Sequence, residues 1–153
     1  MIRKLRKEEI CGNIERLLEE ASNAMIDAYC PYSNFRVGAA ILTSKGNIYR
    51  GANIENLAYG STICAERSAI CNANAHGERD YALVAIIAKN GPSSTIEPVA
   101  PCGACRQMLY EFAQLSKRDT QIIMSNTRMT KVVVASINEL FPLGFGSTEF
   151  SRL

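Results

Sequence analysis

The chain has 153 residues, of which 47% are hydrophobic and 21% are charged, the balance of an ordinary globular protein. Its 17 basic and 15 acidic residues are interspersed and leave a net charge of +2, so no basic stripe indicates a nucleic-acid partner. No run approaches the roughly 18 apolar residues of a membrane span, and the length predicts a single domain over residues 1–153.

The first part of the chain predicts a helix followed by a β-hairpin. Apolar residues recur at helical spacing from Ile10 onwards and Pro31 ends the segment, so a helix is expected over about residues 7–28. The basic N-terminus leads into this amphipathic pattern and not into the apolar run of a signal peptide, which favours a cytoplasmic protein. The β-rich runs on either side of residues 44–47 predict two strands joined by a turn.

Helices and strands alternate in the second part. Residues 64–76 are rich in alanine and are followed by Gly77, which predicts a helix with glycine at its C-terminal end. The short apolar run at 81–89 predicts a strand covered on both faces, and a loop over 90–100 follows it. A helix from the second cysteine cluster, two strands at QIIMS and KVVVAS, and a short helix capped by Ser136 complete the order. This order predicts an α/β sandwich around a five-stranded sheet.

Three of the six cysteines have the spacing of metal ligands. Cys102 and Cys105 are three positions apart at a predicted helix start, and Cys64 opens another helix. Structural zinc sites usually have four protein ligands, whereas catalytic sites have three and keep one position for water. A lone C-x-x-C pair would suit a redox pair or two core residues as well as a metal. The remaining cysteines lack ligand spacing: Cys11, Cys30 and Cys71.

Two segments, TICAERSAI and PCGACRQ, make the pattern specific. They give Cys-Ala-Glu and then Pro-Cys-x-x-Cys, which is the zinc-deaminase motif with three cysteines. With PYSNFRVGAAIL, GANIEN and LFPLGF, the chain resembles the small homotetrameric cytidine deaminases of pyrimidine salvage, from about Tyr32 to Phe145. The resemblance implies a three-layer α/β/α sandwich with a mixed five-stranded sheet, a zinc ion, a nucleoside substrate and active sites shared within a homotetramer.

The same resemblance assigns the chemistry. It implies that Cys64, Cys102 and Cys105 bind Zn²⁺ and that Glu66 carries protons, because hydrolytic deamination needs an activated water and a protonated leaving amine. The alternative for Glu66 is a carboxylate that only stabilises a helix N-terminus. Arg67 is expected to donate to the cysteine sulfurs and offset their negative charge, the alternative being a surface ion pair.

Substrate contacts follow from the resemblance as well. Asn53 and Glu55 alternate at a strand end and are expected to hydrogen-bond the ribose, the alternative being a polar strand edge. Phe35 resembles the aromatic residue that packs on the pyrimidine, although a phenylalanine in an apolar strand is more often part of a core.

Three further positions belong to this set by resemblance. The backbone of Ala65 is expected to contact the cytosine edge, and Tyr59 and Phe145 are expected to reach the pocket of a neighbouring subunit. The chain departs from the family in its longer 90–100 loop, in Ala100 where serine is common, and in its basic N-terminal cluster.

The leading prediction is therefore zinc-dependent deamination of cytidine and deoxycytidine to uridine and deoxyuridine, with release of ammonia. A deaminase of a cytosine-containing nucleoside antibiotic is the alternative within the family, although the NIEN segment favours an ordinary ribose. A polynucleotide-editing enzyme would need a basic, aromatic channel, which the balanced charge argues against. A non-catalytic zinc module would need a fourth ligand or would have no use for Glu66.

Overall fold

The computed structural model describes residues 1–94 and 97–146. The α-helices are α1 (Asn13–Ile26), α2 (Ala65–Ala75), α3 (Gly103–Ser116) and α4 (Ile137–Leu140). The strands are β1 (Arg3–Leu5), β2 (Phe35–Thr43), β3 (Ile48–Ala52), β4 (Tyr81–Asn90), β5 (Ser93–Ser94), β6 (Gln121–Ser125) and β7 (Val132–Ser136). Short 3₁₀ turns lie at Lys7–Glu9 and Tyr59–Ser61. Within this part of the chain, no helix has the length and apolar character needed to cross a membrane.

One mixed sheet runs through the molecule. Its strand order is β1-β7-β6-β4-β2-β3, and β5 pairs with the end of β4. The central strand β4 is antiparallel to β2 and parallel to β6, so the sheet is mixed as predicted. The five predicted strands are all present, but the described residues form seven.

The prediction of five strands was wrong because two short strands have no local signal. The first, β1, has the sequence Arg-Lys-Leu and exists because it pairs with β7 at the sheet edge. The second, β5, lies in the segment predicted as a loop and folds back on β4 after Gly91, whose φ is +57°. Strand β1 is stabilised by pairing with β7, which is distant in the chain, and β5 by pairing with β4 after the chain reverses direction. Neither strand is indicated by its own composition.

Helices cover both faces of the sheet, which confirms the three-layer sandwich. On β2, Ala39 and Ile41 pack in one core with residues of α2 and α3. Their neighbours Ala40 and Leu42 point to the opposite face and pack with Leu17 and other residues of α1. Alternation of side chains along a strand therefore supplies two cores from one apolar run.

The first helix is shorter than predicted. Residues 7–9 form a 3₁₀ turn, and Gly12 precedes α1 with a φ of +58°, which an α-helix does not contain. The helix then ends at Ile26. The helical spacing of apolar residues correctly indicated the buried face, since Leu17 and Leu18 are fully buried. This spacing does not show where the helix begins.

Other helix ends agree with the sequence. Cys64 is the N-cap of α2, and Gly77 follows its C-terminal end with a φ of +77°. The Ser136 side chain accepts a hydrogen bond from the Glu139 N–H, and the Glu139 carboxylate accepts one from the Ser136 N–H, which forms a capping box.

Gly51 allows α2 to lie directly on β3. A Cβ atom at this position would lie 2.2 Å from the backbone nitrogen of Ala69 and 2.4 Å from the carbonyl oxygen of Ala65. Both are helix backbone atoms, so the whole of α2 would have to move to relieve the clash. The position of α2 relative to the sheet therefore depends on the missing side chain.

We expect Gly51→Ala to lower the free energy of unfolding by at least the 1–3 kcal/mol that is roughly typical of overpacking. Urea unfolding followed by circular dichroism measures this change. Gly60→Ala is the matched control, because none of the described atoms lies within 4 Å of a Cβ added there. Equal losses in the two variants would show that backbone entropy, and not the helix contact, governs the effect.

Candidate active site

Three cysteine sulfurs converge where α2 and α3 begin. Cys64 and Cys102 are the N-caps of these helices, and Cys105 lies in the first turn of α3. Neither cap side chain bonds to the N–H groups of its own helix. The Sγ atoms of Cys64 and Cys102 are 3.8 Å apart, those of Cys102 and Cys105 are 3.5 Å apart, and all three lie within 4.8 Å of one another.

This arrangement fits one zinc ion. A tetrahedral ion with zinc–sulfur distances of about 2.3 Å places its sulfur ligands roughly 3.8 Å apart. A disulfide would need a sulfur–sulfur distance near 2.05 Å, so the cysteines are not bonded to one another. Among the described residues, this is the only group of three or more potential ligands. Three soft donors with a fourth position left over form the ligand set of a catalytic site.

The cluster favours the thiolate form of Cys64 and the thiol form of Cys105. Hydrogen bonds from Cys105, Arg67 and Cys102 lower the pKa of Cys64 to about 5. A hydrogen bond with Cys64 and burial raise the pKa of the Cys105 thiol. A bound cation would remove the thiol proton, because a metal-bound thiol is deprotonated.

Arg67 lies against this cluster. Its Nη2 donates to the carbonyl oxygen of Thr62 at 2.8 Å and lies 3.8 Å from the Sγ atom of Cys64. Its Nε–H is buried and has no hydrogen-bond partner among the described residues. The guanidinium is therefore fixed beside the sulfurs by the backbone that leads into α2.

Glu66 is buried beside the sulfurs. It is the second residue of α2, and only 4% of its surface is exposed. Burial raises the pKa of its carboxyl group, and the nearby charge of Cys64 adds to the effect. Its oxygens do not belong to the group of mutually close ligand atoms, which consists of sulfurs alone. A carboxyl group with a raised pKa next to a metal site suits proton transfer near neutral pH.

A cavity of about 310 Å³ lies at the same end of α2, with the size of a small-molecule site. Its lining residues are Tyr32, Ser33, Glu55, Tyr59 and Thr62. The rings of Tyr32 and Tyr59 meet edge to face, with centroids 6.0 Å apart. Thr62 connects the cavity to the sulfur cluster, because its carbonyl group accepts the hydrogen bond from Arg67.

Two isolated β-bridges hold the segment of Asn53 and Glu55 next to the cavity. Ile54 pairs with Tyr29 on one side and with Ile63 on the other. Ile63 directly precedes Cys64, so the predicted sugar-binding segment is tied to the start of α2. Three parts of the chain distant in sequence thus form one wall.

Asn53 and Glu55 have different surroundings. The buried Asn53 amide oxygen accepts from the N–H of Val37, and its amide nitrogen donates to the carbonyl oxygen of Phe35, both at 2.8 Å. Glu55 lines the cavity and accepts from the N–H groups of Tyr32 and Ser33 at 2.9 and 3.2 Å. The Ser33 hydroxyl donates to the other carboxylate oxygen of Glu55.

The remaining predicted residues lie in three environments. Phe35 is the half-buried first residue of β2, and Ala65 is the fully buried first residue of α2, where helix N–H groups lack intrahelical partners. Tyr59 is 74% exposed at the cavity rim. Phe145 is 58% exposed and does not line this cavity, and its carbonyl group accepts from Nε2 of Gln107 at 2.8 Å.

Three lining residues of the cavity have no signal in the sequence that marks them as site residues: Tyr32, Ser33 and Thr62. Tyr32 and Ser33 lie inside the PYSNF segment, but their partner Glu55 is 23 and 22 residues away, so no local spacing indicates the contact.

Comparison with known proteins agrees with this site. Residues 12–118 match the family model of the cytidine and deoxycytidylate deaminase zinc-binding region. The cytidine deaminase of Halalkalibacterium halodurans is 41% identical over 137 residues, which cover 90% of this chain and 97% of that protein. That of Sporosarcina psychrophila is 39% identical over 139 residues, which cover 91% and 96%.

Solved structures and a more distant relative extend the comparison. The crystal structure of cytidine deaminase from Burkholderia pseudomallei superposes with a TM-score of 0.77 at 39% identity and covers 88% of this chain and 100% of that one. Blasticidin-S deaminase of Bacillus cereus is 32% identical over 133 residues, which cover 84% and 89%. The chain belongs to the cytidine and deoxycytidylate deaminase family with a zinc-binding region, which confirms the predicted cofactor.

We expect Cys105→Ala to lose zinc, since two sulfurs leave the ion underligated. The loss of affinity should exceed the roughly 10–100-fold cost of removing a partner outside the ligand set. Metal analysis of purified protein measures the zinc content. Cys71→Ala is the control, because Cys71 is exposed on α2 and lies outside the sulfur group. Parent zinc content in Cys105→Ala would remove Cys105 from the ligand set.

Proposed function

We propose that this protein is a hydrolase of pyrimidine salvage that deaminates cytidine and deoxycytidine to uridine and deoxyuridine and releases ammonia. The observation that carries the proposal is the buried Glu66 beside three sulfurs with zinc-site spacing. The relatives named cytidine deaminase, similar over nearly the whole chain, support the substrate.

The chemistry is divided between the ion and Glu66. Zinc, when held by Cys64, Cys102 and Cys105, supplies a bound water whose pKa is lowered to about 7. Glu66 accepts one proton of the attacking water at a carboxylate oxygen and delivers it to N3 of the pyrimidine. It then accepts the second proton of the same water oxygen and delivers it to the leaving amine, so that ammonia departs and a carbonyl group remains at C4. The raised pKa of Glu66 supports this role, because the group must be both an acid and a base near neutral pH.

Arg67 adjusts the charge of the ligand set. Three thiolates around Zn²⁺ leave a net charge of −1, which opposes ionisation of a bound water. The Arg67 guanidinium near Cys64 offsets part of that charge by donating to sulfur.

The nucleoside lies along the cavity wall in this proposal. The Phe35 ring packs on the pyrimidine, and the Ala65 backbone contacts its amide edge. Glu55 accepts hydrogen bonds from sugar hydroxyls. Asn53 contributes to the same contacts with its second amide N–H, since only one is used on the Phe35 carbonyl group in the described hydrogen bonds.

We also propose one deaminase domain over residues 1–153, located in the cytoplasm and assembled as a homotetramer with shared active sites. The continuous sheet supports the single domain. Exposed apolar side chains in the segment that follows Glu55 support the assembly, with Leu57 at 76% and Tyr59 at 74% exposure. The balanced charge supports a small-molecule substrate and neither a nucleic acid nor a membrane as partner.

Deamination of a cytosine-containing antibiotic is the second candidate, because the Bacillus cereus relative is a blasticidin-S deaminase. The Glu55 carboxylate at the cavity wall favours a substrate with sugar hydroxyl groups.

We expect the purified zinc protein to deaminate cytidine, measured as loss of ultraviolet absorbance and release of ammonia. Glu66→Gln should retain one zinc per chain and lose at least the roughly 10²–10⁴-fold typical of a general acid–base. Loss of zinc together with activity would make Glu66 a ligand or a determinant of folding. A higher kcat/KM for blasticidin S than for cytidine would favour the second candidate.

Shared sites predict complementation. Glu66→Ala and Phe145→Ala should each be nearly inactive, but subunits exchanged at equal concentrations should form intact sites from two different chains. Random assembly makes at most about a quarter of the sites intact. Activity equal to the average of the two variants would show that Phe145 does not act across a subunit boundary.

A further inference from the structure

Ser33 connects the proposed sugar site to the proposed base site. It precedes Phe35 by two residues, and it lines the cavity next to Glu55. We propose that Ser33 is a positioning residue that orients the Glu55 carboxylate toward the sugar and fixes the backbone that carries the Phe35 ring. This inference rests on the proposed function.

The first connection is to Glu55. The Ser33 hydroxyl donates to Oε1, while the N–H groups of Tyr32 and Ser33 donate to Oε2. Donors on both oxygens fix the rotation of the carboxylate plane. Each ionised oxygen can accept more than one hydrogen bond, so acceptor capacity remains for the sugar. The hydrogen bonds from Ser33 and Tyr32 also lower the pKa of Glu55, which keeps it in the ionised, accepting form.

The second connection is to Phe35. Its N–H donates to the Ser33 Oγ atom at 3.0 Å, and this donor directs the hydroxyl proton away from Phe35. A hydroxyl has one proton, and it goes to Glu55. The carbonyl group of Phe35 is held by Asn53 at 2.8 Å. Both peptide groups of Phe35 are therefore fixed by side chains that belong to the sugar-binding wall.

The backbone of Asn34, between Ser33 and Phe35, is also held in place. Asn34 has a φ of +56°, which turns the chain between Ser33 and Phe35. Its N–H donates to the carbonyl group of Cys30 at 3.0 Å, and its own carbonyl group accepts from Gly91 at 2.8 Å. The loop is thus held from both ends before any substrate enters. Such preorganisation favours binding because less ordering is required when the ligand arrives.

Kinetics of Ser33→Ala test the proposal. Because a hydrogen bond to a charged group is stronger than one between neutral groups, KM for cytidine should rise by about tenfold or more when this bond is lost. The value of kcat should change far less, because Glu66 and the sulfurs are not contacted by Ser33. Ser33→Thr keeps a hydroxyl group and should restore most of the affinity. Ser93→Ala, at an exposed serine of β5, is the control and should match the parent.

The contact between Glu55 and the sugar is tested with 1-methylcytosine, a substrate that has no sugar. The preference of kcat/KM for cytidine over 1-methylcytosine should fall about tenfold in Ser33→Ala, because only cytidine uses Glu55. In a Glu55→Gln background, Ser33→Ala should no longer change this preference, since coupled residues are not additive. A loss of kcat/KM that is common to both substrates in that background reports the contact with the Phe35 backbone. A purely structural serine would lower kcat/KM for both substrates equally and would remain additive with Glu55→Gln.

Zinc content and thermal unfolding establish that each variant is folded. If Ser33→Ala does not fold, Ser33→Cys, which keeps the side-chain size but donates weakly, serves in its place. Parent KM and parent substrate preference in the folded variant would overturn the role of Ser33 alone. Failure of the parent protein to deaminate cytidine would overturn the proposed function as well.

Discussion

The close contact between α2 and β3 at Gly51 is the constraint on which the site depends. It brings the backbone of the helix against the strand, and Ala65 and Ala69 are the helix residues that touch it. The residues at the start of α2 are Cys64 and Glu66, while the chain beyond β3 supplies Asn53 and Glu55. One packing contact between small residues thus sets the distance between the sulfur cluster and the cavity wall that carries Glu55.

The ionisation of Cys64 and Glu66 depends on their position at the start of α2. The helix N-terminus, Arg67 and neighbouring thiols all favour the Cys64 thiolate. Two residues further on, burial favours the neutral form of Glu66. Cys64 and Glu66, two positions apart, therefore have opposite tendencies toward ionisation, one suited to hold a cation and the other to hold a proton. Glu66 is buried, whereas Cys64 remains partly exposed to solvent.

The wall of the cavity is built from hydrogen bonds between distant segments. Ile54 pairs with both Tyr29 and Ile63, so the segment carrying Glu55 is fixed between the end of α1 and the start of α2. Exposed polar residues at such a wall would ordinarily be mobile, but Glu55 is held by three donors. The segment that carries Glu55 is in this way connected by hydrogen bonds to the start of α2, where the sulfur cluster lies.

The sequence by itself indicated the three cysteines of the candidate metal site and the main elements. The spacing of Cys102 and Cys105, with Cys64 ahead of Glu66, indicated three sulfurs and a carboxyl group, because each motif lies within one helix start. Gly77 and Ser136 indicated helix ends for the same local reason. The tertiary structure decided the rest: β1 and β5 exist through pairing, and the turn at Gly12 interrupts an unbroken apolar period. It also decided that Asn53 holds β2 while Ser33 holds Glu55, because those partners are brought together only by the folded sheet.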